Sequence, residues 1–195
     1  LMDVALKLFA QKGYPNTKIS EIVAAANVAQ GTFYWYFKSK QEIVIQLIAE
    51  GQESLLKVIS QGYRKQGGTV EDMVQASTQL MNDLLNFAES NRHLMALLFI
   101  EGKSGDEAIR KATTEVLVAI EQAFRRNIER AVELNMLPNT IDIPLRASIL
   151  AILIEGMISR WLFGTGYDLN HLPTRPAGEM AAEVARFEFY GLLGS

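Results

Sequence analysis

Thr17 to Phe37 reads TKISEIVAAANVAQGTFYWYF, two short helical patterns around a tight turn. That is the sequence shape of a helix-turn-helix. Ile19, Ile22 and Val23 stand at i, i+3 and i+4 and give the first helix one apolar side, with Val28 following in the turn. Phe33, Tyr36 and Phe37 repeat the spacing in the second helix. With those three aromatics turned inward, Gln30, Gly31, Thr32, Tyr34 and Trp35 face whatever lies outside. Small polar groups therefore sit at the start of the second helix, where a recognition helix meets base edges.

The flanks fit this reading. Asn27 falls between the helices, where the change of direction needs a residue that tolerates the left-handed backbone region. Gly31 removes a side chain near the start of the second helix, so a phosphate or base edge can approach closely, at a cost in helix propensity. Ser39-Lys40-Gln41-Glu42 matches a capping box and marks the start of a longer helix. Lys40 in that first turn opposes the macrodipole preference for acids, and a phosphate there would offset the mismatch.

Residues Leu1 to about Leu47 resemble the DNA-binding domain of the TetR family of bacterial transcriptional regulators. The resemblance rests on ALKLF (Ala5 to Phe9), Gly13-Tyr14, Thr17 with Ile22, AANVAQGTFYWYF (Ala25 to Phe37) and Ser39-Lys40-Gln41, in the family's order. Departures are Asn27 for the usual Gly, Ala29 for the usual Ser and Gln41 for the usual Glu. Ala29 matters physically, because Ser would cap the recognition helix and Ala cannot. The resemblance implies base-edge or groove contacts from Gln30, Thr32 and Trp35 beside Gly31, and phosphate contacts from Thr17, Tyr34 and Lys40. Gln matches adenine, since its amide both donates and accepts. The plainer roles are that Thr17 caps a helix, Tyr34 covers the edge of the core and Lys40 is solvated; Phe33, Tyr36 and Phe37 are read as core.

The 195 residues suffice for a DNA-binding module, residues 1–47, and one further domain, residues 48–195. With no cysteine there is neither a disulfide framework nor a thiolate metal site, and nothing resembles a secretory signal. A cytoplasmic location is expected. Residues 1–50 carry five Lys against four acids, and residues 51–195 carry fourteen Lys and Arg against eighteen acids. So small a positive balance is a weak footprint for phosphate neutralisation. The chain begins at Leu1, inside the helical pattern Leu1, Val4, Ala5, Leu8, Phe9. An upstream arm is expected, and in the resembled family it is often basic.

Beyond the capping box the pattern stays helical, and no alternating run bounded by hairpin turns appears; the fold class is all-α, a three-helix DNA-binding domain followed by a larger helical ligand-binding and dimerisation domain. Helices are expected over about 39–63, 69–89, 91–101, 107–135, 144–163 and from Pro176 onward. Gly67-Gly68, the turn Gly102 to Gly105, Met136 to Ile143 and Gly164 to Arg175 separate them, and Ser104 to Glu107 reads as a second capping box. Ala147 to Ile154 is the most apolar run, but Arg146, Glu155 and Arg160 interrupt it short of the roughly 20 residues a bilayer needs. A helix apolar on more than one side is covered on more than one side. The resemblance implies that the last two large helices pair across a two-fold axis. Ile149, Ile152 and Leu153 with Met180, Val184 and Phe187 are the expected homodimer interface, beside the small residues Ala177, Ala181 and Ala185.

Large flexible apolar side chains fill the middle of the chain. Met73, Met81, Met95, Phe99, Phe124 and Trp161 are candidate walls of a cavity for a small lipophilic or aromatic effector, each also readable as ordinary core. Glu155, Arg92 and His93 are the polar groups expected to orient such a ligand. No cofactor is expected, and catalysis reads poorly. His93 and His171 are the only imidazoles, no metal-binding spacing occurs, and Gly102-Lys103-Ser104 has Leu97 where a phosphate-binding loop needs Gly. Two functions follow. One is a homodimeric regulator, most simply a repressor, that binds a palindromic operator in double-stranded DNA and is released by an effector. The other is an all-helical binding or scaffold protein whose N-terminal module no longer binds DNA. Salt separates them, since the regulator loses DNA affinity as salt rises.

Overall fold

Three short helices, α1 (Met2–Lys12), α2 (Ile19–Ala25) and α3 (Gln30–Tyr36), open the chain in a computed structural model that describes residues 1–63, 65–103 and 106–193. They close on a small apolar core in which Ala5, Phe9, Ile22 and Phe33 are fully buried. The α2–α3 turn is a Schellman motif: Val28 N–H donates to the Val23 carbonyl at 3.0 Å, Asn27 N–H donates to Ala24 at 3.2 Å, and Asn27 sits at φ +53°. The same motif ends the seventh helix, where Met136 N–H reaches Ala131 at 2.9 Å and Asn135 has φ +57°.

Local caps set the remaining bounds. At α4 (Lys40–Gln61) the Ser39 hydroxyl accepts the Glu42 N–H at 3.1 Å, while the Glu42 carboxylate accepts from Lys38 N–H, one residue further back than a capping box requires. Ahead of α5 (Val70–Ser90), Thr69 and Asp72 cap each other, with N–H to oxygen distances of 2.7 and 3.2 Å. After α6 (Arg92–Phe99), α7 (Glu107–Glu133) is capped by Asp106, whose carboxylate accepts from Ala108 N–H at 2.9 Å. Ser104, the expected cap, lies outside the described residues. Asp142 caps α8 (Ile143–Phe163) by accepting the Leu145 N–H at 3.1 Å, and Pro176 precedes α9 (Ala177–Tyr190). Among the described residues there is no strand, and no helix is long and apolar enough to cross a membrane.

The chain divides into two compact units that do not follow a single cut in the sequence. Leu1–Glu53 with Asn91–Val116 form one, and Ser54–Ser90 with Leu117–Ser195 form the other. In the first unit α6 packs on α1, and Leu94 to Phe99 are all buried. In the second, α5 pairs with α9, and the Ser77 hydroxyl donates to the Glu188 carboxylate.

Candidate nucleic-acid interface and effector cavity

Seven residues make only two turns, so α3 buries one row of side chains and exposes the rest. Phe33 is fully buried and packs on Phe37 with ring centroids 5.7 Å apart. Gln30 and Gly31 are exposed, Thr32 is half-buried, and Tyr34 and Trp35 are 52% and 81% exposed. Tyr36, expected in the core, is instead 62% exposed and lies against Trp35 at 5.3 Å. The helix ends at Tyr36, and Phe37 turns inward only because its backbone is extended, so the i+3 position has no core left to reach. No side chain caps the start of α3 at Ala29, as the missing Ser implies.

Two expected phosphate ligands, Thr17 and Lys40, have hydrogen-bond partners within the fold. Thr17 is buried, and its hydroxyl lies 2.9 Å from the Gly13 carbonyl and 3.3 Å from that of Leu8, so its side chain neither caps α2 nor faces solvent. Lys18 is the residue at the N-cap of α2, with Glu21 accepting its N–H at 2.9 Å. Lys40 Nζ donates to the carbonyls of Tyr14, Pro15 and Thr17 at 2.6, 3.3 and 2.8 Å and lies 4.3 Å from the centre of the Tyr14 ring. An ammonium has three hydrogens, and all three have acceptors here. Burial lowers the Lys40 pKa and the nearby Asp106 partly opposes it, while burial and then Asp106 raise that of Tyr14. The Lys40 ammonium thus closes the α1–α2 loop, which Glu101 also holds by accepting the Tyr14 N–H at 3.0 Å.

The second unit contains a cavity of about 500 Å³. Met73, Ser77 and Met81 on α5, Phe124 and Asn127 on α7, Arg146, Ile149 and Leu153 on α8, and Phe187 and Glu188 on α9 are among its walls. Its size is that of small-molecule sites, roughly 300–1,000 Å³. Met73, Met81 and Phe124 are the candidates from the sequence that meet there. Arg92, His93, Met95, Phe99, Glu155 and Trp161 do not line it. Met95 and Phe99 are buried in α6 of the first unit, where His93 is held below its usual pKa by burial and then by Lys7 and Arg92. Trp161 donates its indole N–H to the Arg175 carbonyl at 2.9 Å, and Glu155 is half-buried elsewhere on α8. Of the expected interface residues, Ile149, Leu153 and Phe187 line the cavity, and Val184 is buried within its own unit. Ile149 and Ile152 remain exposed, and Met180 is half-buried. Ser77, Asn127 and Glu188 were missed. Ser77 carried a signal, since it falls midway between Met73 and Met81 at i+4 on one face.

A three-helix head that buries Phe33 and presents Gln30, Thr32 and Trp35 belongs to the helix-turn-helix class of DNA-binding regulators. Residues 1–47 match the model of the bacterial regulatory proteins, tetR family, which identifies this head as a DNA-binding domain of that type. It is 27% identical over 176 residues to the HTH-type transcriptional regulator AcrR of Shigella flexneri, covering 87% of this chain and 80% of that protein. It is 24% identical over 173 residues to the probable acrEF/envCD operon repressor of Escherichia coli (strain K12), covering 87% and 78%. Its fold matches that of the transcriptional regulator FadR from Bacillus subtilis, solved in complex with stearoyl-CoA, with a TM-score of 0.79 at 17% identity over 98% of this chain and 97% of that one.

Proposed function

We propose that this regulator is a repressor that binds a palindromic operator as a homodimer and leaves it when a lipophilic or aromatic effector enters the cavity of the second unit. The observation that carries the reading is the pairing, in one chain, of an outward-facing α3 with an apolar cavity of about 500 Å³. In this reading residues 1–47 hold the DNA, residues 48–195 hold the effector and the second copy, and the protein works in the cytoplasm. The name of the E. coli relative supports repression, and the stearoyl-CoA in the FadR structure supports an effector that carries a long acyl chain. Dimerisation supplies specificity, because two copies read two half-sites about 34 Å apart where one helix reads only a few base pairs.

Release needs differential affinity. An effector that prefers a conformation with the two recognition helices out of register weakens DNA binding by that preference and no more. A displacement of a few Å between half-sites is enough to misalign them. Selection of bound duplexes from a random pool tests the first half: a two-fold symmetric motif is expected, and a folded protein that enriches nothing overturns the reading. Adding stearoyl-CoA to the recovered complex tests the second half. Release, lost in a Met81→Trp variant that fills the cavity, is the expected result for an acyl effector.

A further inference from the structure

From Ile22 to Phe37 the chain contains no Asp, Glu, Lys, Arg or His, and α3 lies wholly within that stretch. The major groove is read by a small chemical code. Guanine O6 and N7 are met by Arg or Lys, the cytosine amino group by Asp or Glu, adenine N6 and N7 by Gln or Asn, and the thymine methyl by an apolar surface. The outward side of α3 offers an amide at Gln30, a methyl and hydroxyl at half-buried Thr32, and an indole at Trp35 that is 81% exposed. It holds an amide for adenine and apolar surface for thymine methyls, and it lacks the charged groups that most often meet guanine and cytosine; the hydroxyls of Thr32, Tyr34 and Tyr36 favour neither pair.

Nearby charges do not restore the missing code. Lys12 is bound to Glu21 at 2.7 Å, and Lys40 is bound to three carbonyls. Lys18 stands at the N-cap of α2, and Lys38 follows the extended Phe37 beyond the end of α3. Both are exposed and neither lies on α3. Nor is Trp35 held outward by the fold, since its one ring partner is Tyr36, itself exposed. A large apolar side chain so open on a recognition helix is suited to burial against thymine methyls.

Resting on the DNA-binding reading of α3, we infer that the base pairs under this helix are A·T, with Gln30 reading adenine and Trp35 packing on thymine methyls as a specificity-determining residue. The operator half-site core is therefore A·T-rich, and G·C pairs there are disfavoured by the absence of a partner rather than by repulsion.

The test uses the full-length protein and the duplexes it recovers from a random pool. The expected core is A·T at the positions that a hydroxyl-radical footprint assigns to α3. Replacing each core thymine by uracil removes only the methyl and is expected to weaken binding about four-fold at each contacted position. Trp35→Ala, an exposed position, is expected to bind the thymine and uracil duplexes alike. Replacing the core adenine by 7-deazaadenine is expected to weaken binding about five-fold or more, and Gln30→Ala to remove that difference. A recovered core of G·C pairs, or a uracil duplex bound as tightly as the thymine one, overturns this inference and leaves the regulator reading standing. Recovery of no duplex at all overturns both.

Discussion

Gly31 is a position where the fold asks nothing of the missing side chain: a Cβ there meets no atom within 4 Å. Glycine inside a helix costs about 0.8–1 kcal/mol against Ala. Gly31→Ala is therefore expected to raise the stability of the protein by that order in urea unfolding, while lowering DNA affinity if the backbone must approach a phosphate or base edge. A variant that is more stable and binds DNA as well as the parent would show that close approach is not needed. Lys40 is the opposite case, a charge that the sequence offers to phosphate and that three carbonyls of the α1–α2 loop hold in the fold. Its loss in Lys40→Met is expected to cost on the order of 1–2 kcal/mol, the scale of lost hydrogen bonds from a charged donor that is partly solvated. DNA affinity should fall with the loop, yet the slope of log affinity against log salt should stay unchanged. A lost phosphate contact would instead reduce that slope by about 0.9. At this scale Phe33 and Phe37 were legible from their spacing, and Tyr36 was not, because periodicity cannot say that a seven-residue helix stops there.

Element bounds were legible wherever a local group decides them. Thr69 with Asp72, Asn27, Pro144 and Pro176 each mark an end through chemistry confined to a few residues. What an element packs against was less legible, and α6 shows why. Six consecutive buried residues give it no single apolar face, so nothing in its pattern distinguishes a cavity wall from a core helix packed on α1. His93 was accordingly read as a ligand contact, whereas it lies half-buried with Lys7 of α1 and Arg92 of its own helix as the charges acting on it. That placement has a consequence for stability. The folded pKa is depressed below the ordinary 6.5, so between the two values the unfolded chain binds more protons than the folded one. Stability from this group is fully present above about pH 6.5 and is lost as pH falls from there toward the folded value. Urea midpoints at pH 7.5 and 5.5 should differ more for the parent than for His93→Gln. Equal differences in the two proteins would remove His93 as the cause.

Across the whole molecule the two functional halves were legible to different depths. The head was legible because its motif is short and most positions in it have a local reason, Thr17 and Tyr36 being the exceptions. The cavity was legible only as a composition, since Met73, Ser77, Met81, Phe124 and Phe187 converge from three helices distant in sequence. The same limit applies to the surface through which two copies are proposed to meet. On α8, Leu145, Ile149 and Ile152 recur at i, i+4 and i+7 with exposures of 55, 52 and 67%, while Ala147, Ile154 and Ile158 on the same helix are buried. One side of α8 is thus covered by its own unit and another is apolar and open, as an isologous two-fold contact requires. Ile152 separates this surface from the cavity, because it does not line the cavity and Ile149 does. In a monomer Ile152→Glu would be a surface change worth within about 0.5 kcal/mol. In a dimer it places two like charges in a desolvated contact. The expected outcome is a chain of unchanged helix content that sediments as a monomer, loses the concentration dependence of its melting temperature and binds the operator at least about a hundred-fold more weakly. A variant that stays dimeric at the same concentrations would place the two-fold contact elsewhere.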